Sequence, residues 1–127
     1  MRALSAAWVK GIDVRASNAS RGTVLADRVR EATDFFGRLV GLIGRGGIEP
    51  GDGLHLVPCR AIHTFFLRMP IDVAFLDEHG AVVKLFHALP PWRATSFQRN
   101  ASSALELPAG TLQGSGTELG HRITFRP

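Results

Sequence analysis

IDVAFLDEHGAVVKLF (residues 71–86) has the pattern of a β-hairpin. Two β-prone runs, residues 71–76 and 81–86, flank the turn sequence Asp-Glu-His-Gly, in which Gly80 suits a positive φ. In the first run, apolar side chains point to both faces of the sheet, a pattern typical of a strand that is covered on both sides. We therefore predict that residues 71–76 form a central strand.

The rest of the chain has the pattern of a mainly β protein with one helix. Residues 33–43 are predicted to form this α-helix, because the apolar residues fall on one stripe and a glycine-rich run follows them. Further strands are predicted near residues 22–26, 54–67, 104–107 and 118–125, and the glycine-rich run 110–116 is predicted to be a turn. We expect a small sandwich or partial barrel with the helix packed against it.

The length of 127 residues predicts a single domain over residues 1–127, which can bury a core without disulfides. About residues 1–20 are expected to form an irregular segment or an edge of the fold. Cys59 is the only cysteine, which excludes an intrachain disulfide and a metal-binding thiol cluster. No apolar run is long enough to cross a bilayer. The cytoplasm is the default compartment, although export of a processed precursor stays open.

The net charge of +4 is carried entirely by the N-terminal third of the chain. Residues 1–48 contain eight Lys or Arg and four Asp or Glu, whereas residues 49–127 contain seven of each. The arginines are spread singly, which is typical of a solvated surface rather than of a nucleic-acid-binding block. Nucleic-acid binding through this third is therefore the least favoured function.

Polar residues in an apolar setting mark residues 59–77 as the candidate site. Asp72 opens the predicted central strand, and a buried carboxylate needs a partner, for which Arg68 and His63 are nearest in sequence. We favour an Asp72–Arg68 salt bridge that fixes the Met69-Pro70 bend; the alternative is an acid–base pair of Asp72 and His63. A nucleophile–base pair of Cys59 and His63 is disfavoured, because residues four apart on a strand are separated by about 13 Å.

The long loop at residues 88–100 is a second candidate for recognition. Trp92 can stack on a ring or a sugar while Arg93 pairs with an anion, or Trp92 can fold inward and anchor the loop. The histidines lack ligand spacing, so we expect no metal, and no cofactor motif is found. The candidate ligand-binding residues are His63, Thr64, Arg68, Asp72, Trp92 and Arg93.

Five segments of the chain, taken together and in order, match the pattern of a known family: Arg38–Arg45, Gly53-Leu54, Ile62–Phe65, Arg68–Asp77 and Leu105–Gly110. They resemble the domain of unknown function 192 family of small prokaryotic proteins. The resemblance covers roughly residues 23–125 and implies a mainly β sandwich or partial barrel with a packed helix, but no established activity. An acidic residue is common in that family at the position of His121.

These observations lead us to expect a non-catalytic binding module for a small acidic or carbohydrate-like ligand, with arginines that favour an anion. A small enzyme using Asp72 and His63 is the alternative from another class. A buried Asp72 would favour the first and an open one the second. The oligomeric state is not predicted.

Overall fold

The computed structural model describes residues 14–32 and 48–127, and in these ranges the chain forms one seven-stranded sheet with one short helix. The strand order is β5-β4-β6-β3-β2-β1-β7. The predicted helix at residues 33–43 lies outside the described residues. The strands are β1 (Val14–Asn18), β2 (Thr23–Ala32), β3 (Asp52–Leu56), β4 (Ile71–Leu76), β5 (Val82–Leu89), β6 (Ser103–Pro108) and β7 (Ile123–Arg126), and the helix is α1 (Thr111–Gly114).

The predicted hairpin is confirmed as β4 and β5, joined by a turn in which Gly80 has φ +83°. A side chain at Gly80 would also collide with the backbone of β7, since a Cβ there would lie 2.6 Å from the Ile123 carbonyl oxygen. All six residues of β4 are buried, and the strand pairs with β5 on one side and β6 on the other. The interior position of β4 predicted from its two apolar faces is therefore confirmed.

The sheet curls until its two ends meet. The Val82 amide donates to the His121 carbonyl over 2.9 Å, and Ala81 bridges Arg122, which connects the start of β5 to the segment before β7. One apolar cluster, here called the inner core, contains residues from both ends of the sheet, including Ala16, Leu76, Leu105, Leu112 and Ile123. The mainly β, partial-barrel architecture is thus confirmed.

A second apolar cluster, the outer core, covers the opposite face of the sheet. It is built on alternate residues of β3, β4 and β6, and two irregular segments, residues 57–70 and 90–102, contribute further members to it. The chain alternates between these two faces, so a strand with apolar residues at every position serves both cores at once. Its members include Leu54, Ile62, Leu67, Ile71, Val73, Phe75 and Ala104.

The strand predicted across residues 54–67 is wrong beyond Leu56. Residues 60–64 bond instead to the other irregular segment: the Thr64 amide donates to the Arg93 carbonyl (2.8 Å) and the Thr95 amide to the Ile62 carbonyl (2.9 Å). These two segments satisfy each other's main-chain groups outside the sheet.

Two further elements differ from the sequence prediction. The predicted turn at residues 110–116 contains α1, and residues 118–122 precede the final strand instead of belonging to it. β1 lies between β2 and β7, so this part of the N-terminal segment is an interior strand rather than an edge.

Candidate functional site

Four ring side chains form a solvent-exposed array, the aromatic platform, on the two irregular segments. The His63 ring stacks on Phe65 with 4.7 Å between centroids, Phe65 stacks on Trp92 at 5.8 Å, and Phe66 meets Trp92 edge-on at 4.8 Å. Phe66 is 61% exposed and Trp92 58% exposed. A contiguous group of exposed rings on a protein surface is typical of an interaction site.

Thr64 holds the platform together from below. Its side chain is fully buried, and its hydroxyl donates to the Pro90 carbonyl (2.6 Å) while accepting from the Arg93 amide (2.9 Å). The Trp92 amide also donates to the Thr64 carbonyl over 3.1 Å. Because these bonds join the two segments that carry the rings, Thr64 fixes the position of one segment against the other.

Two platform residues have backbone conformations that L-amino acids rarely adopt. Phe66 has φ 70° and Trp92 has φ 63°, both in the left-handed region. Such a conformation costs about 1–2 kcal/mol per non-glycine residue, and strain of this kind clusters at binding and catalytic sites. Both strained residues expose their rings, so the strain accompanies an outward-facing aromatic surface. The inward-folded alternative for Trp92 is wrong.

Two exposed arginines are close to platform residues in the chain. Arg93 directly follows Trp92, and Arg68 comes two residues after Phe66. The Arg60 guanidinium of the first segment lies over the Phe97 ring of the second at 5.9 Å. The segments that carry the rings therefore also carry exposed guanidinium groups, which can donate bidentate hydrogen bonds.

Asp72 is not part of this surface. It is 1% exposed, and its two carboxylate oxygens accept hydrogen bonds from the Ala88 amide (2.8 Å) and the Leu112 amide (2.9 Å). The expected salt bridge with Arg68 is wrong, since among the described residues Asp72 forms no ion pair. The carboxylate faces the inner core, whereas the irregular segments cover the outer one.

The Asp72 carboxylate instead fixes two irregular points of the backbone. Ala88 has φ 49° and lies at a break in the β4–β5 register, where its amide turns away from the ladder and toward Asp72. Leu112 belongs to α1, whose N-cap residue Gly110 makes no side-chain cap. One buried carboxylate thus satisfies main-chain donors of β5 and α1, which is a structural role.

Glu106 is a buried carboxyl group that the sequence analysis did not select. It lies in β6 on the outer-core side, opposite Leu54 and Val73, and is 5% exposed. Within the described ranges its carboxyl group has no hydrogen-bond or ion-pair partner. Burial raises the pKa of Glu106 to about 8, so the group carries its proton at pH 7. The alternation Leu-Glu-Leu in the sequence predicts a glutamate that faces solvent. The sequence feature that indicates burial on this side is the second apolar face of the neighbouring β4.

His55 is the corresponding unpaired group on the inner side. Its ring stacks on Phe125 with 4.2 Å between centroids, and its buried Nε2 has no partner among the described residues. Nδ1 lies 3.6 Å from a carboxylate oxygen of Glu31. Burial nevertheless lowers the pKa of His55 to about 4, so the ring is neutral at physiological pH.

Within residues 14–32 and 48–127, no three His, Cys, Asp or Glu side chains lie close enough together to hold a metal ion. The same residues contain no helix that is long and apolar enough to span a membrane.

Comparison with known proteins identifies the family. The model of the DUF192 family, described as "Uncharacterized ACR, COG1430", matches residues 16–125. The chain belongs to the DUF192 family. A UPF0127 protein of Thermococcus sibiricus is 34% identical over an alignment of 116 residues, and the match covers 85% of this chain and 72% of that protein. A UPF0127 protein of Pyrococcus furiosus is 33% identical over an alignment of 114 residues, and the match covers 85% of this chain and 95% of that protein.

Two solved structures have similar folds. A protein of unknown function from Novosphingobium aromaticivorans superposes with a TM-score of 0.74 at 17% identity, covering 92% of this chain and 89% of the other. A protein from Sinorhizobium meliloti, proposed to be a transcription regulator, superposes with a TM-score of 0.73 at 26% identity, covering 88% and 91%. The DUF192 chain therefore shares its fold with these two proteins.

Proposed function

We propose that this DUF192 protein is a non-catalytic binding module whose aromatic platform takes a small acidic, carbohydrate-like ligand. The observation that carries the proposal is the exposed stack of His63, Phe65 and Trp92, with Phe66 against its edge. Flat rings pack against the apolar face of a sugar ring, and buried Thr64 holds them in place before any ligand arrives.

The charges of the same segments support an acidic ligand over a neutral one. Arg68 and Arg93 are exposed on the segments that carry the rings, and an arginine fork matches the geometry of a carboxylate or sulfate. A ligand with both features, a saccharide bearing a carboxylate, would contact the rings and the arginines together. The ligand-binding residues in this proposal are His63, Phe65, Phe66, Arg68, Trp92 and Arg93, with Thr64 in a positioning role.

The buried position of Asp72 does not support the acid–base alternative. A general acid or base must reach the proton that it transfers, whereas both carboxylate oxygens of Asp72 are bonded to main-chain amides in a buried position. Without Asp72, His63 has no carboxylate partner among the described residues. The arrangement therefore favours binding over catalysis at this site.

The experiment is a titration with a uronic-acid oligosaccharide, followed by calorimetry and by tryptophan emission. The methyl ester of the same oligosaccharide is the neutral control. We expect Trp92→Ala to weaken binding by about 5- to 150-fold, if a sugar gains the same about 1–3 kcal/mol that a nucleic-acid base gains by stacking on an aromatic ring. Phe97→Ala is the matched control, because Phe97 is 66% exposed but lies outside the stack. Equal binding of the ester and the acid, or an unchanged affinity in Trp92→Ala, would refute the proposal.

Nucleic-acid binding is the second candidate, favoured by the net charge of +4 and by the proposed role of the Sinorhizobium meliloti relative. Two of the described N-terminal arginines are already paired: Arg15 with Asp27 at 3.3 Å and Arg28 with Asp52 at 2.8 Å. We therefore rank it below saccharide binding. Its signature is an affinity for duplex DNA that falls steeply with added salt, and such a result would reverse the ranking.

A further inference from the structure

We propose that a short extended peptide binds in a groove beside β5 by pairing with the free edge of that strand. This groove is separate from the aromatic platform, and the inference does not depend on the function proposed above. β5 stands at one end of the strand order and pairs with β4 alone. Among residues 14–32 and 48–127, the main-chain hydrogen bonds of its outer edge are at its first residue, where Val82 exchanges bonds with Gly120 and His121 (both 2.9 Å).

Beyond Val82, β5 and residues 112–119 line a groove. Among the described residues, the outer edge of residues 83–87 has no main-chain partner. A strand edge in this state presents N–H and C=O groups at the spacing that only another extended chain reproduces. The groove has a volume of about 530 Å³, and it is lined by Leu85, His87, Leu112, Gln113, Gly116, Thr117, Glu118 and Leu119.

The walls of the groove are built before any peptide arrives. Asp72 bonds to Ala88 on the β5 side (2.8 Å) and to Leu112 on the opposite side (2.9 Å), so one buried carboxylate sets the distance between the walls. On the far wall, the Thr117 hydroxyl is bonded to Ser115 (2.7 Å) and to Asn18 (3.0 Å). A preformed groove lowers the entropy that binding has to overcome.

The lining selects the kind of peptide. Leu85 and Leu119 are the apolar side chains of the lining that a guest can reach, since Leu119 is 62% exposed and Leu85 is half-buried, whereas Leu112 is fully buried. Side chains alternate across a strand, so every second residue of the guest would rest on these two side chains. Glu118 is the acidic residue of the lining, which favours a Lys or Arg in the guest. The partner is thus a basic extended segment with alternating apolar residues.

The edge also limits what can pair with it. The β4–β5 register breaks between Val82 and Lys84 and again between Phe86 and Leu89, which leaves a short regular edge, and Lys84 is exposed along it. Bulges and lysines on edge strands discourage continuous sheet formation between copies of one protein. The available length therefore suits a short guest segment better than a second copy of this chain.

The test begins with selection of a displayed random seven-residue peptide library on the wild-type chain, with removal of peptides that also bind Leu119→Asp. We expect enriched peptides to alternate apolar residues around a Lys or Arg. One synthetic enriched peptide is then titrated while amide resonances are followed by NMR. The shifts should map to residues 83–87, and Leu119→Asp should weaken binding at least tenfold. Val24→Asp is the matched control, since Val24 is a 48% exposed aliphatic residue on β2, and it should bind as the wild type does.

Two changes test the mode of binding. Methylation of alternate amides of the peptide should abolish binding if main-chain pairing carries it. Glu118→Lys should weaken the binding of a basic peptide by about two- to fivefold, the size of the effect expected for an exposed ion pair. The same substitution should strengthen the binding of an acidic analogue of the peptide. Two binding results would overturn the proposal: no peptides enriched on the wild type over Leu119→Asp, or equal binding of the methylated and unmethylated peptides. Amide shifts at His63 and Trp92 instead of β5 would overturn it as well. So would sedimentation showing that the chain pairs with itself through this edge.

Discussion

Replacement of Glu106 by glutamine should make the protein progressively more stable than the wild type as the pH rises. Glutamine has the shape of the protonated glutamate but does not ionise. Burial raises the pKa of Glu106 from 4.5 to about 8, so between these values the folded chain keeps a proton that the unfolded chain has lost. Stability therefore falls as pH increases through this window, by about 1.4 kcal/mol per pH unit.

The expected magnitude follows from that interval. Across the whole window from 4.5 to about 8, the loss amounts to about 5 kcal/mol, a large part of the stability of a domain of this size. The clearest range is pH 6.5–8, in which no other described group with a shifted pKa titrates. Over that range the advantage of Glu106→Gln should grow by about 2 kcal/mol.

The assay is urea unfolding of the wild type and Glu106→Gln at several pH values between 6.5 and 8, with the free energy of unfolding extrapolated to water. Glu118→Gln is the matched control, because it makes the same chemical change at an exposed position, and its effect should not vary with pH. A constant difference between Glu106→Gln and the wild type would refute the reasoning. It would mean that the carboxyl group ionises without penalty and therefore has solvent or a cation beside it.

Three further predictions concern the other buried polar groups. Asp72→Asn should lower the free energy of unfolding in urea by about 3 kcal/mol, because it leaves a main-chain amide without its carboxylate acceptor. Asp27→Asn, at an exposed ion pair, should lower it by under about 1 kcal/mol. Equal effects of the two substitutions would contradict the role given to Asp72. Thr64→Val should cost about 1–3 kcal/mol and shift the tryptophan emission, and Thr124→Val, outside the platform, should leave that emission unchanged. Acidification from 6.5 to about 4 should increase the stability of His55→Phe relative to the wild type by about 3 kcal/mol; a difference between the two that does not vary with pH would contradict it.

The sequence predicted the elements whose periodicity is regular. The β4–β5 hairpin was found correctly, because a two-residue period and a glycine turn are local signals that tertiary contacts only reinforce. The segment after Leu56 was assigned wrongly for the opposite reason. Its main-chain bonds go to a segment about 30 residues away, as in the contact of Thr64 with Arg93, and no local pattern encodes that pairing.

The candidate site was predicted in part for the same reason. Trp92 and His63 were selected for their chemistry, and the structure brings them together through Phe65, which the sequence analysis did not select. Asp72 was recognised as a buried carboxylate that needs a partner, but its partners are main-chain amides, which carry no residue-type signal. Sequence reasoning identified which residue needed a partner and missed which group supplied it.

The buried polar groups discussed above are of two kinds, which differ in whether hydrogen bonds satisfy them. Thr64 and Asp72 are fully hydrogen-bonded and fix irregular backbone beside the two proposed binding surfaces. Glu106 and His55 are not, and each is neutral at pH 7 because ionisation would leave a charge in an apolar core. Their effects on stability have opposite signs: acidification from 6.5 to about 4 charges His55, whereas alkalinisation from 4.5 to about 8 charges Glu106. Where the two ranges overlap the slopes cancel, so the fold is least sensitive to pH in the mildly acidic range and loses stability on either side of it.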